Sequence, residues 1–204
     1  MTKASGLAGE NRPLKVGYVS ADFYMHPVGL FVGKVVATHD AELVTPVIYS
    51  NTATCDDLTR NLQQVVQNKT APWAWRDVQS LDDAALAEQI RADGIDILVD
   101  LSGHTGRSRL TAFAWKPAPV QISWLGYFAT TGLPTMDFVI LDPWHAPPGA
   151  EAQFSERIIR LPHNRLCYSP VPFAPAVSPA PTFRNGYITF GSFICAVCII
   201  SFII

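Results

Sequence analysis

The stretch Ile95-Asp-Ile-Leu-Val-Asp-Leu101 is a short aliphatic run that follows a helix-like segment ending in Gly94. Such runs are typical of strands buried on both faces of a parallel sheet. A second run, Leu14 to Ser20 (LKVGYVS), is also apolar and leads into a loop and then a helical pattern. Two strand-loop-helix units of this kind predict an α/β fold.

Strand-like and helix-like segments alternate outward from these two runs. Helices are predicted over 28–40, 56–67, from an N-cap at Ser80 to Ala92, and over 109–115; strands are predicted over 43–49, 73–78, 120–124 and 138–141. The alternation indicates a mostly parallel sheet with helices on both faces and right-handed crossovers. Pro46 suggests that its strand lies at an edge or carries a bulge. The proline-rich segment 143–181, with a strand-like piece at 157–161, is expected to wrap the sheet more than extend it.

Length, charge and cysteine content narrow the class of protein. The 204 residues suit one domain, and a net charge of −2 favours neither nucleic acid nor an anionic membrane as a partner. Four scattered cysteines and no signal peptide predict a cytoplasmic protein. Cys195 and Cys198 form a C-x-x-C without a second ligand pair, so no metal is expected.

Ligands of open α/β sheets bind beyond the carboxyl ends of the strands, where three loops stand out. The loop from Ser20 to Gly29 brings Asp22 and His26 to the start of a helix, where they could bind a sugar hydroxyl or only cap the helix. The loop from Asp100 to Arg107 suits a polyhydroxylated or anionic ligand, or is a surface turn with a solvated His104. Both readings stay open for each loop.

The third loop, Trp124 to Gly132, combines glycines with two adjacent hydroxyls at Thr130 and Thr131 that could donate to a ligand. None of the three loops is a G-x-G-x-x-G or a P-loop. A nicotinamide or ATP cofactor therefore has no support from the sequence.

Several separated motifs resemble, in order, the catalytic region of protein O-GlcNAc transferases, especially the bacterial ones. They are LKVGYVSADFYMHPVG, IRADGIDILVDLSGHT, FAWKPAPVQISWLGYFATTGLPTMDFVILD and GYITFGSF. The resemblance implies one Rossmann-like lobe of a GT-B fold. It also implies transfer of N-acetylglucosamine from UDP-GlcNAc to Ser or Thr of proteins, with inversion and without a metal or other cofactor.

The resemblance assigns site residues as well. His26, in the Asp-Phe-x-x-His-Pro motif that also holds Asp22 and Pro27, matches the active-site histidine, whose role as base or positioning group stays open. The remaining matches, implied to bind substrate, are His104, Thr105, Leu125, Gly126, Tyr127, Thr130 and Thr131. In the third loop Phe128 and Ala129 stand where relatives have Pro and Gly, which adds bulk near the sugar.

The domain prediction is a flexible leader over 1–13, an amino-terminal lobe over 14–193 and an aberrant apolar tail over 194–204. The family's second lobe, which carries the main uridine and diphosphate contacts, would follow residue 193, so the chain alone is expected to be inactive. A separately encoded second lobe could be its partner. The alternatives are a non-enzymatic sugar- or protein-binding module and a fragment of a relative that uses GDP-fucose.

Overall fold

The computed structural model describes residues 12–67, 74–168, 170 and 174–190. The chain divides into two compact units, Met1–Ser169 and Pro170–Ile204. In the second unit the described part contains one short helix, Thr182–Asn185, which ends at Gly186 in the left-handed conformation. The sheet and the candidate site lie entirely in the first unit.

The described part of the first unit contains seven strands and four helices, which alternate up to the fifth strand, and one short 3₁₀ turn at Ala150–Gln153. The strands are β1 Leu14–Ser20, β2 Val44–Ser50, β3 Ala74–Asp77, β4 Ile97–Asp100, β5 Val120–Ser123, β6 Phe138–Leu141 and β7 Arg157–Arg160. The helices are α1 Pro27–Ala37, α2 Asp57–Gln67, α3 Asp83–Asp93 and α4 Leu110–Ala114.

All seven strands pair in parallel in the order β3-β2-β1-β4-β5-β6-β7. The chain builds outward from β1 to β3, then returns to start β4 on the other side of β1. The strand order therefore reverses between β1 and β4, where the loops that follow these two strands diverge and leave a crevice. The predicted α/β class with a Rossmann-like parallel sheet is confirmed.

Helices cover both faces of the sheet, as predicted. On one face α1 and α2 contribute Val32, Val36 and Leu62 to a core that includes Tyr18 and Ile48. On the other face the core joins strand residues to α3 and α4, through Leu86, Ile90, Leu98, Leu110 and Phe113. β1 and β4 are covered on both faces, which explains why each of them is a continuous apolar run in the sequence.

Three local predictions are wrong. Pro46 does not lie at an edge, because β2 pairs with β1 and β3. The backbone groups of every second residue of β2 face the same neighbouring strand. Since the Ser50 carbonyl accepts from Val78 on the β3 side, Pro46 also faces that side, one residue before the first described β2–β3 pair. The missing N–H of Pro46 therefore removes no hydrogen bond from a described pair. Residues 157–160 extend the sheet as β7 and do not merely wrap it.

The third wrong prediction concerns the start of α3. Asp82, and not Ser80, is the N-cap, since its side chain accepts from the backbone N–H of Ala85 at 2.8 Å. The predicted stop at Gly94 is confirmed, with φ of 64° in the left-handed region that glycine tolerates.

Some predictions fall outside the described residues. These are most of the leader, the apolar tail, and the Cys195–Cys198 pair; the predicted domain boundaries stay predictions. Cys55 and Cys167 are exposed free thiols. Among the helices of the described ranges, none combines the length and apolar character needed to cross a bilayer.

Candidate functional site at the strand-order reversal

The loops after β1, β4 and β5 meet at the carboxyl edge of the sheet and enclose an open cleft of about 230 Å³. The cleft is lined by Asp22, His26, Val28, Leu101, Thr105, Gly106, Arg107 and Gly126. It lies where the strand order reverses, which is the usual ligand position in such sheets. Four predicted site residues line it: Asp22, His26, Thr105 and Gly126.

His26 is the N-cap of α1, and Pro27 follows it at the first helical position. Its backbone is extended and its Nδ1 accepts the Val28 backbone N–H at 3.3 Å. A neutral imidazole that accepts at Nδ1 carries its proton on Nε2. With its side chain 38% exposed, His26 therefore offers a hydrogen-bond donor to a ligand. His26 can therefore cap the helix through Nδ1 and bind a ligand through Nε2 at the same time.

Asp22 and Arg107 face each other in the cleft. Asp22 Oδ1 lies 3.9 Å from Arg107 Nη2, and Asp22 Oδ2 lies 4.0 Å from His26 Nδ1. Both separations exceed hydrogen-bond length. The carboxylate thus sits between the Arg107 guanidinium and Nδ1 of the His26 ring without a direct hydrogen bond to either of them.

The loop after β4 is held by the buried carboxylate of Asp100. Its two oxygens accept the N–H groups of Ser102 and Gly103, at 3.2 and 2.7 Å. Burial raises the pKa of Asp100 from 3.8 to about 6, and these hydrogen bonds oppose the rise. Gly103 has φ of 56°, and a Cβ there would come within 2.3 Å of Tyr127. Only glycine fits this turn.

The turn places His104 and Thr105 differently. Thr105 Oγ1 donates to the Ser102 carbonyl at 2.7 Å and the residue lines the cleft. His104 Nε2 donates to the Thr131 carbonyl at 2.8 Å, and its ring meets the Tyr127 ring edge-on at 5.5 Å. His104 therefore joins the second loop to the third and does not line the cleft.

The loop after β5 approaches the end of β4 at Gly126. A Cβ on Gly126 would lie 2.0 Å from the Leu101 carbonyl oxygen, so no other residue fits without moving backbone. The preceding Leu125 has φ of 75°, a strained conformation for a branched residue. Its carbonyl accepts from the buried Arg165 Nη1 at 2.6 Å. Neither Leu125 nor Tyr127 lines the cleft.

Thr130 and Thr131 are engaged by the protein itself. Thr130 Oγ1 donates to Glu156 Oε2 at 2.8 Å, and both the N–H and the hydroxyl of Thr131 donate to Glu156 Oε1. Burial tends to raise the pKa of Glu156, but these hydrogen bonds outweigh it and lower the pKa below its usual value. The structure thus directs both hydroxyls to a carboxylate and not to the cleft.

Several residues that support the site carried no sequence signal. Glu156, Arg165 and Asp142 each stand alone in a polar or proline-rich stretch, and their partners are distant in sequence. Asp142, for example, accepts a hydrogen bond from the backbone N–H of Arg165, 23 residues further along, in addition to one from the nearby His145 side chain. Burial tends to raise the pKa of Asp142, but the hydrogen bonds hold it well below its usual range. Only the pairing of β5, β6 and β7 brings these groups together.

In the part of the chain that the structure describes, no three His, Cys, Asp or Glu side chains form a group able to hold an ion. The arrangement instead offers neutral and charged hydrogen-bond donors around one carboxylate. Such a set suits a ligand with several hydroxyl groups.

The model of Glycosyl transferase family 41 matches residues 2–167. A probable UDP-N-acetylglucosamine–peptide N-acetylglucosaminyltransferase SPINDLY of Solanum lycopersicum is 43% identical over 182 residues, which is 89% of this chain. The UDP-N-acetylglucosamine–peptide N-acetylglucosaminyltransferase of Caenorhabditis elegans is 33% identical over 152 residues, 74% of this chain and 13% of that protein.

Among solved structures, a mutant O-GlcNAc transferase of Thermobaculum terrenum superposes with a TM-score of 0.77. It is 44% identical, and the match covers 83% of this chain and 32% of that one. The chain spans about a fifth of the length of the tomato relative, 19%. The predicted resemblance to the O-GlcNAc transferases is confirmed by the family match and by the shared fold: this chain belongs to glycosyl transferase family 41.

Proposed function

We propose that the chain supplies one lobe of a glycosyltransferase that moves N-acetylglucosamine from UDP-GlcNAc to Ser or Thr hydroxyls of proteins. The observation that carries the proposal is the convergence of Asp22, His26, Thr105 and Gly126 in one cleft at the strand-order reversal. Relatives named for peptide N-acetylglucosaminyl transfer share this part of the chain at 43% and 33% identity.

The reaction forms a bond between the acceptor oxygen and the sugar C1 while the bond from C1 to the phosphate oxygen breaks. UDP leaves with that electron pair, and the proton of the acceptor hydroxyl passes to the leaving UDP or to water. In the tautomer fixed by Val28, the Nε2–H of His26 is a donor, so we assign His26 the role of holding a substrate oxygen. It is not poised to take the acceptor proton at Nε2.

In this proposal, transfer of the sugar also requires groups of the catalytic region that these residues do not provide. Stabilising the leaving UDP requires donors or cations aimed at its phosphates. The three cleft loops contain neither a G-x-G-x-x-G nor a P-loop. We therefore expect the 204-residue chain to bind sugar nucleotide without turning it over, and to act when joined by a second lobe that carries the phosphate contacts.

Calorimetric titration of UDP-GlcNAc into the folded chain tests the proposal. His26→Ala should weaken binding about tenfold, because a hydrogen bond to a sugar oxygen is lost. The matched control is His163→Ala, which removes an exposed imidazole outside the cleft and should change nothing. GDP-fucose titrated in parallel should bind more weakly than UDP-GlcNAc.

Other outcomes would point to other functions. Measurable transfer by the chain alone would contradict the need for a second lobe. Tighter binding of GDP-fucose would reassign the donor. A second candidate function, a binding module without catalysis, is favoured by the lack of a phosphate-binding motif in the cleft loops. Saturable binding together with failure to transfer in the presence of any supplied second lobe would support that candidate.

A further inference from the structure

Arg107 combines two features that a purely structural residue does not need. Its φ of 59° lies in the left-handed region, which disfavours side chains with a Cβ. Its side chain is 47% exposed and its guanidinium donates no hydrogen bond to any described residue; the nearest charged partner, Asp22, is 3.9 Å away. The fold therefore gains little from this side chain and carries backbone strain to place it in the cleft.

What the fold does use is the Arg107 backbone. The Arg107 carbonyl accepts from Asn51 Nδ2 at 3.2 Å, which ties the loop after β4 to the end of β2. Neighbouring Gly106 has no atom within 4 Å of its Cβ position, so this turn is not crowded. A glycine at 107 would keep the same backbone bond and relieve the strain. The fold therefore uses the backbone of Arg107 and leaves its side chain available to a ligand in the cleft.

Asp22 is flanked by two side chains that can donate to a ligand, Arg107 through its guanidinium and His26 through Nε2. The Arg107 guanidinium lies on one side of the carboxylate and the His26 imidazole on the other, at 3.9 and 4.0 Å. A guanidinium and a carboxylate at this spacing can each take one of two neighbouring hydroxyls, the arginine donating and the carboxylate accepting. An isolated anion would meet the charge of Asp22 as well as that of Arg107, which disfavours a phosphate in the same place.

We infer that Arg107 is a sugar-recognition residue of this cleft, which together with Asp22 binds two adjacent hydroxyls of the transferred sugar ring. The inference rests on the proposed function and adds a specificity-determining residue to it. The substrate group concerned is the sugar ring of the nucleotide sugar and not its diphosphate.

The test compares Arg107→Gly and Arg107→Lys with the parent chain by NMR titration of the full 204 residues. The probes are UDP-GlcNAc, UDP and free N-acetylglucosamine. Arg107→Gly should bind UDP-GlcNAc and the free sugar about tenfold more weakly, since charge-assisted hydrogen bonds are lost, and should respond to UDP as the parent does. Arg107→Lys should not restore affinity, because an ammonium lacks the planar pair of donors.

Two controls separate binding from folding. Arg91→Ala removes the same charge at the end of α3, at the opposite edge of the sheet, and should leave all titrations unchanged. The denaturation midpoint of Arg107→Gly should equal or exceed that of the parent, because the strained backbone is relieved. A clearly lower midpoint would make Arg107 a structural residue and overturn the inference.

The remaining outcomes distinguish this inference from the proposed function. If His26→Ala weakens UDP-GlcNAc binding and Arg107→Gly does not, the inference fails and the function stands. Equal losses for UDP and UDP-GlcNAc, rescued by Arg107→Lys, would show recognition of phosphate and overturn the inference. If the chain binds the free sugar through Arg107 but does not bind UDP-GlcNAc, the inference stands and only the proposed donor is wrong. No binding of any probe by the folded chain would overturn both.

Discussion

At the scale of single residues, Gly126 controls how closely two cleft loops approach. Gly126→Ala should cost about 2 kcal/mol or more of unfolding free energy, because the new Cβ would meet the Leu101 carbonyl at 2.0 Å and backbone would have to move. Gly106→Ala, in the same cleft with nothing within 4 Å, should change stability by less than about 0.5 kcal/mol. Urea denaturation measures both; equal costs would contradict the packing explanation.

Asp100 gives a residue-scale prediction about pH. Burial raises the pKa of Asp100 from 3.8 in the unfolded chain to about 6, so the folded form holds the proton more tightly. This contribution favours folding at low pH and is lost as pH rises from about 4 through about 6. Asp100→Asn does not titrate. Between pH 4 and pH 7 its stability relative to the parent should therefore increase by roughly 2 kcal/mol, because raising a pKa by one corresponds to about 1.4 kcal/mol and pH 4 already lies above the unfolded pKa of 3.8.

Unfolding curves of both chains at pH 4, 5, 6 and 7 provide the measurement. Asn keeps the size of the side chain but loses one acceptor for the N–H groups of Ser102 and Gly103, so its stability is offset by a constant amount. The pH-dependent difference isolates the titration from that offset. A difference that stays constant across the range would show that Asp100 does not titrate there.

At the scale of elements, β7 is fastened to the loop after β5 by Glu156. Glu156→Gln should destabilise the fold by about 2 kcal/mol at pH 7, since three hydrogen bonds to a carboxylate weaken. Because the folded pKa of Glu156 is lowered, this contribution is present above the unfolded pKa of 4.5 and is lost as pH falls through the folded value. The exposed Glu42→Gln serves as the charge control.

Elements also show what the sequence could and could not predict. The strand Leu14–Ser20 and the strand Phe138–Leu141 match their predicted bounds, because continuous apolar runs are local signals. The sequence alone does not distinguish Ser80 from Asp82 as the N-cap of α3, since Ser and Asp cap equally well and only the hydrogen bond from the Ala85 N–H identifies Asp82. β7 was missed as a sheet strand because its pattern, with alternate residues exposed and half-buried, gives no buried run.

Part of the candidate site was predictable because it depends on strands that are clear in the sequence. Asp22, His26, Thr105 and Gly126 follow strands that the sequence marks clearly, and strand ends converge in a parallel sheet. Thr130 and Thr131 were expected to face a ligand, but they donate to Glu156, 25 residues or more further along the chain. No local pattern reveals a partner that only sheet pairing brings near.

At the scale of the whole molecule, the protection of backbone amides against hydrogen exchange should depend on the position of their strand in the sheet. β1 and β4 lie at its centre, covered on both faces, whereas β3 and β7 lie at its ends. We expect the amides of β1 and β4 to exchange only on global unfolding, and those of β7 to exchange at least tenfold faster. Hydrogen exchange followed by NMR measures this; equal protection of β7 and β1 would contradict the prediction.

Because all seven strands run in the same direction, the protein can be labelled or immobilised away from the cleft. Each strand begins at the edge of the sheet away from the cleft, and the ion pair between Lys116 and Asp137, just before β5 and β6, lies at that edge. A fluorophore or a surface tether attached there would leave the cleft open to ligand. The molecule can therefore be immobilised in one orientation, with its binding edge facing the solution.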